Sequence, residues 1–279
     1  MASISSSPAF RFIYNFLFYL LAVVALFFMA NWLVRQMIYP APSIPVGPPP
    51  PGLIEVEFQL SDKSTSYGWL HRNPKAASDT PVMLFFHGNG ENLQTMALSG
   101  ILDDFKGLGV HFLAMDYPGY GKNGGTSSEA SLVEAADSAF LWIAENFFEN
   151  PKIIFGWSLG AGVAFQSAAK YHHLLDGLIA VSPWSSLPDV AAAHYPRWLV
   201  KAALSEKYNS VEAAGKIQSP ALVIHGEQDR IIPSAQGQRV SEALSNSTLV
   251  LLPGTGHNDV FSRQQTWQAI ATFLGESKK

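Results

Sequence analysis

Residues 153–162 read IIFGWSLGAG, and the reading of this stretch decides the fold. A short apolar run leads straight into a serine, Ser158, framed by Gly156, Gly160 and Gly162. Glycine costs backbone entropy, so its clustering marks a connection too tight for other residues. One reading is a plain strand-to-helix turn in which the serine only caps the helix. The other is a nucleophile held out on that turn. The segments on either side choose between them.

Working outward, the same kind of run recurs. VMLFFHG (82–88), VHFLAMD (110–116), LIAVS (178–182), ALVIHG (221–226) and TLVLLPG (248–254) are short, apolar and closed by polar or glycine residues. Such runs are typical of strands buried on both faces. Helix-like stretches fall between them, near 92–106, 129–147, 160–171, 235–245 and 262–275. LIEVEFQL (53–60) and SYGWLHR (66–72) read as an opening antiparallel pair. The alternation predicts an α/β protein with a mostly parallel, eight-stranded sheet and helices on both faces.

In open parallel sheets, ligands bind outside the carboxyl ends of the strands. Three polar residues stand just past such ends: Ser158, Asp229 after ALVIHGEQ, and His257 after TLVLLPGTG. Their chain order is Ser, Asp, His, and GWSLG has the G-x-S-x-G form of a nucleophile elbow. With FFHGNGEN, DYPGYGKNGG, SPWSSLPDV, LVIHGEQDRIIP and LPGTGHNDV, the sequence resembles the α/β-hydrolases over roughly residues 53 to 275. The blocks look like the Bem46-like branch, with its monoacylglycerol and lysophospholipid lipases and depalmitoylating thioesterases. They are specific for the fold and the triad, and not for one substrate.

The chemistry needs these residue types. A serine hydroxyl is a weak nucleophile until a base takes its proton. His257 can do this near neutral pH, and a carboxylate, Asp229, would hold the imidazole in the right tautomer. On this reading the glycines position Ser158 and expose its hydroxyl. The N–H of Leu159, next to the nucleophile, is one expected oxyanion donor. By resemblance the second is the N–H of Asn89. The loop reads HGNG and not the HGGG of some esterases, so that assignment rests on position.

Other candidates take structural roles. Asp259 is a rival for Asp229 but lacks the strand-end position. Asp116 fits the branch's turn motif, His87 a brace for the oxyanion loop, and His225 a buried packing residue. His172, His173 and His194 sit on helix-like stretches. No histidine pair has metal-ligand spacing, and no glycine-rich loop fits a phosphate cradle. The sequence therefore predicts no metal and no cofactor.

The flanking regions bound where the enzyme works. Of the 279 residues, 48% are hydrophobic and 14% charged, with a net charge of −4, no cysteine and no basic run. No nucleic-acid partner is implied, and a cysteine nucleophile and disulfides are excluded. Arg11 and Arg35 bracket 23 uncharged residues, 12–34, which as a helix span roughly 34 Å, enough to cross a bilayer. A cleaved signal peptide and a buried core helix are the rivals. The absence of a small-x-small cleavage site favours an uncleaved signal anchor behind an N-terminal tail, 1–11. It would put the domain on the non-cytoplasmic side of a single-pass membrane protein. Residues 39–52 hold seven of the eighteen prolines and are expected to form a stiff spacer. A chain beginning near Gly52 should then be soluble and active. The hydrolase domain, 53–279, carries a short lid insertion at about 184–219. That insertion has room for two helices, about 189–204 and 209–217, leaving the elbow little covered. Trp184, Tyr195 and Trp198 are the expected substrate-binding wall, with Leu199 beside them.

The expected function is cleavage of a carboxylic ester or thioester of an acyl lipid, acylglycerol or acyl-protein type substrate through an acyl-enzyme. A serine peptidase and a non-catalytic scaffold for a membrane partner are the alternatives.

Overall fold

The computed structural model describes residues 8–276; residues 1–7, most of the expected N-terminal tail, and 277–279 lie outside them. The sheet has eight strands: β1 Ile54–Gln59, β2 Thr65–His71, β3 Val82–Phe86, β4 His111–Met115, β5 Lys152–Trp157, β6 Gly177–Val181, β7 Ala221–Gly226 and β8 Ser247–Leu252. Their order is β1-β2-β4-β3-β5-β6-β7-β8. β1 and β2 are antiparallel to their neighbours, and every pair from β4 to β8 is parallel.

Both faces of the parallel part are covered, which explains the unbroken apolar runs. In β3 the alternation divides the strand. Val82, Leu84 and Phe86 enter one core with Ile154, Leu113 and Met115. Met83 and Phe85 enter the opposite core with Phe112, Ile153 and Phe155. The covering helices include α2 Leu93–Ser99, α3 Ile101–Gly107, α4 Glu129–Asn146 and α5 Leu159–Lys170. The single helix expected at 92–106 is therefore two, divided at Gly100, which closes α2 in the left-handed conformation.

Three departures reshape the site. First, the apolar helix α1 runs Pro8–Ile38, beyond the expected 12–34. It is long and apolar enough to cross a membrane. Second, the insertion folds as three helices, α6 Leu187–His194, α7 Arg197–Ala203 and α8 Ser210–Ala214. Tyr195 and Pro196 break the expected 189–204 helix, because a residue before proline disfavours the helical region and Tyr195 is extended.

Third, the proline-rich segment does not hang free. Tyr39 is buried, and its hydroxyl donates to Glu206 Oε2 at 3.2 Å and lies 3.0 Å from the Tyr208 hydroxyl. Asn92 Nδ2 donates to the Ile44 carbonyl at 2.8 Å, and Gly47 N–H donates to Gln94 Oε1 at 3.0 Å. Prolines leave their carbonyls without intrasegment partners, and here side chains of the domain satisfy part of that backbone. The rest of the sheet is covered by α9 Ser234–Ala243 and α10 Gln264–Glu276.

Candidate active site

Ser158 leaves the end of β5 with φ 53° and ψ −113°, a strained conformation for a residue with a side chain. Its N–H donates to the Val181 carbonyl on β6 at 2.9 Å. The glycines are there because α5 starts against backbone. A Cβ on Gly156 would overlap the Gly160 carbonyl, and a Cβ on Gly160 would overlap the Phe86 carbonyl of β3. Gly162 lies under the Trp184 ring, which its Cβ would meet at 2.6 Å. The turn thus drives the serine outward while the new helix packs on the neighbouring strand.

His257 follows β8, and its Nε2 is 2.9 Å from Ser158 Oγ. Its Nδ1 is 2.6 Å from Asp229 Oδ2. A carboxylate can only accept, so Nδ1 carries the proton and Nε2 offers its lone pair to the serine hydroxyl. The Trp157 ring stacks near the imidazole, centroids 6.1 Å apart and tilted by 27°.

Asp229, after β7, is buried. Its Oδ1 accepts the N–H groups of Ile231 and Ile232 at 2.9 and 2.8 Å. Burial alone would raise its pKa. Hydrogen bonds from His225 and His257, the charge of His257 and the Ile232 N–H outweigh burial and hold the carboxyl well below the usual range. Asp259 is placed elsewhere: its Oδ2 accepts the Gly256 N–H at 3.2 Å.

His225 is a contact the sequence did not suggest. It is fully buried, with Nε2 2.8 Å from the Ile232 carbonyl and 3.3 Å from Asp229 Oδ2. It approaches the same carboxylate oxygen, Oδ2, that His257 Nδ1 contacts. The only available signal was its place four residues before Asp229, at the end of a strand.

The loop after β3 faces the elbow because β3 pairs with β5, with Phe86 opposite Gly156. The backbone N–H groups of Asn89 and Leu159 have no other acceptor among the described residues. Asn89 is held at its other end: Nδ2 donates to the Ile38 carbonyl at 2.6 Å, and Oδ1 accepts from the Tyr120 hydroxyl at 2.9 Å. His87, two residues earlier, is fully buried, its Nδ1 2.8 Å from the Gly88 carbonyl and its Nε2 3.4 Å from Asp116. Burial disfavours its charged form, yet Asp116 and Glu91 push its pKa up. The Tyr117 hydroxyl donates to the His87 carbonyl at 2.7 Å, fixing the loop further.

Ser158 and His257 open into a cavity of ≈ 770 Å³. Trp184, Tyr195 and Leu199 line it. Trp198 does not: it is 74% exposed on the outer side of α7. Sequence spacing placed it on the insertion but could not tell which way the turn at Pro196 would face it. The cavity also has a wall the sequence reading missed, formed by Leu33, Val34, Met37 and Ile38 of α1. The elbow is therefore covered by the end of the apolar helix, and not left open under a short lid.

Two family models match the chain: one described as "Serine aminopeptidase, S33" over residues 77–210, and one as "TAP-like protein" over 197–279. An uncharacterized protein of Mycobacterium tuberculosis is 33% identical over 228 residues, covering 80% of this chain and 79% of its own length. Protein bem46 of Schizosaccharomyces pombe is 25% identical, covering 80% and 76%. The lysophosphatidylserine lipase ABHD12 of Rattus norvegicus is 26% identical over 72% of this chain, which spans 58% of that longer protein. Among solved structures, the esterase Pf2001 of Pyrococcus furiosus superimposes with a TM-score of 0.69 at 19% identity, covering 86% of this chain and 97% of its own. With its elbow serine, its sheet order and these relatives, the chain belongs to the α/β-hydrolase family, in the Bem46-like branch.

Proposed function

We propose that the chain is a membrane-anchored serine hydrolase that cleaves carboxylic esters or thioesters of acyl substrates through an acyl-enzyme on Ser158. The observation that carries this reading is the unbroken chain Ser158 Oγ, His257, Asp229, with spacings of 2.9 and 2.6 Å. Ester hydrolysis in general is the activity of the lipase and esterase relatives.

In the proposed cycle, Ser158 Oγ attacks the carbonyl carbon while its proton passes to His257 Nε2. The oxyanion that forms is held by the N–H groups of Asn89 and Leu159. Asp229 stays ionised and stabilises the imidazolium. The tetrahedral species collapses as the C–O or C–S bond breaks, and His257 Nε2–H protonates the leaving alcohol or thiol. Water then repeats the sequence: His257 takes its proton, the hydroxide adds to the acyl carbon, and Ser158 leaves with the proton returned. The product is a carboxylic acid, and no cofactor takes part. We also place the domain on the non-cytoplasmic side, with α1 as an uncleaved signal anchor.

The family model's description as a serine aminopeptidase favours a second reading, cleavage of a peptide amide. The cavity speaks for the first. Among the described residues, no Asp, Glu, Lys or Arg lines it to receive a peptide terminus. The two separate on kcat/KM for a p-nitrophenyl ester against a matched p-nitroanilide. The ester should be far faster and depend on Ser158. Faster cleavage of the anilide would move the chain to the peptidase reading.

A further inference from the structure

Resting on the serine-hydrolase reading, we infer that Leu33, Val34 and Met37 of α1 form the acyl-chain subsite, and that a long-chain acyl ester or thioester slides into it sideways from the bilayer. The membrane helix is then part of the substrate-binding machinery and not only a tether.

The cavity-lining residues of α1 are Ala30, Leu33, Val34, Met37 and Ile38. Their spacing of three, four, seven and eight residues puts them on one helical face. Leu199, Val200 and Ala203 of α7, and Leu204 just past it, line the same cavity, and α1 packs against α7. These two walls are wholly aliphatic. Of the polar lining residues, Asn89, Ser158, His257 and Asn258 belong to the reacting end, while His194 and Tyr195 lie on the insertion at the end of α6. A cavity of ≈ 770 Å³ falls among pockets that enclose whole ligands, roughly 300–1,000 Å³. A cavity with one polar end and a long aliphatic body fits an acyl chain whose carbonyl sits at the serine.

The helix also fixes where the cavity lies relative to the bilayer. α1 has 31 residues, about 46 Å at 1.5 Å per residue, whereas a bilayer's hydrocarbon core is about 30 Å thick. From residue 10 to residue 30 it is exposed apart from the half-buried Ala22; half-burial then recurs at Asn31, Val34, Arg35 and Ile38, where the helix docks on the domain, while Leu33 and Met37 stay 48% and 65% exposed at the open cavity. Arg35 Nη2 lies 3.4 Å from Glu206 Oε1, whose side chain is buried. An ion pair of this kind belongs outside the hydrocarbon. The lining stripe therefore begins where the helix leaves the membrane. One to two turns back on the same face, Phe27, Leu26 and Val23 are exposed. An acyl chain lying along α1 in the bilayer has a continuous apolar path to Leu33 and Met37. The path ends at the site: the Ile38 carbonyl accepts from Asn89 of the oxyanion loop.

The full chain, reconstituted in vesicles of an ether-linked phosphatidylcholine with no ester to compete, tests this. kcat/KM is measured for p-nitrophenyl palmitate and acetate. Leu33→Trp and Met37→Trp should each lower the palmitate-to-acetate ratio at least about tenfold, since filling a subsite discriminates by methylenes that no longer fit. Leu21→Trp, on the opposite face of α1, should leave the ratio unchanged. A ratio that stays at the wild-type value in both stripe variants, with turnover still dependent on Ser158, overturns the inference alone. Turnover that survives Ser158→Ala overturns the underlying reading instead. The wild-type protein gives a readout that needs no variant to fold. A fluorophosphonate carrying a hexadecyl chain with a terminal diazirine, once bound at Ser158, should crosslink to a peptide of α1. Crosslinks confined to other elements would contradict the assignment.

Discussion

Ser158 keeps φ at 53°, a conformation that costs a residue with a side chain about 1–3 kcal/mol. The surrounding backbone enforces it, and the strain aims Oγ at His257. Its partner acid is separable from its rival by mutation. Asp229→Asn should lower turnover on the order of 10⁴-fold, because the amide favours the wrong imidazole tautomer. Asp259→Asn, whose carboxylate only closes a loop on Gly256, should cost far less. Esterase rates of the two purified variants decide it. Asp229 also carries a pH signature. Its pKa is depressed in the folded chain, so the stability it contributes is complete above the unfolded value of about 3.9. That contribution is lost as pH falls through the folded pKa. The melting-temperature gap between wild type and Asp229→Asn should thus narrow on acidification; a gap that widens would contradict the depressed carboxyl. Ser158, Asp229 and His257 were legible because each closes a strand, a position that sequence periodicity reveals. His225 was not, because a histidine inside an apolar strand end reads as packing until Asp229 is found beside it.

At the scale of elements, α5 and α1 matter most. Gly160→Ala would drive a Cβ into the Phe86 carbonyl. Backbone cannot rotate aside, so α5 must lift from β3. That should cost about 1–3 kcal/mol as overpacking and move the Leu159 N–H. Thermal melting and turnover should both fall; an unchanged melting temperature would mean the helix starts elsewhere. The glycine spacing made this turn readable in advance. The docking of α1 was not readable, since Arg35 looked like a membrane boundary and Glu206 lies 171 residues away. Glu206 accepts from Tyr39, and from the Glu129 N–H at the start of α4. Glu206→Ala would remove the acceptor of the part-buried Glu129 N–H and leave the Tyr39 hydroxyl only its Tyr208 contact, at about 1–3 kcal/mol in all. The full chain in detergent should melt lower by several degrees. An unchanged melting temperature would show that α1 docks without the cluster.

For the whole molecule, the mostly parallel sheet and its covering helices followed from the alternation of short apolar runs with helix-like stretches. The relation of the apolar helix α1 to the domain could not, because prolines in sequence signal stiffness but not what they pack against. The docked segment changes one expectation. A chain beginning at Gly52 would lose the α1 wall and Tyr39, exposing the aliphatic face of α7. It should aggregate or melt lower than the full chain and lose its preference for long acyl groups; equal chain-length profiles would mean that α1 is only a tether. The most direct test of the central claim is the site of covalent capture. The full chain is treated with a fluorophosphonate, digested and mapped by mass spectrometry. The account predicts one adduct, on Ser158 in the peptide containing GWSLGAG, and none in Ser158→Ala or after prior acylation by substrate. An adduct on another serine, or active hydrolysis with Ser158 unlabelled, would contradict it.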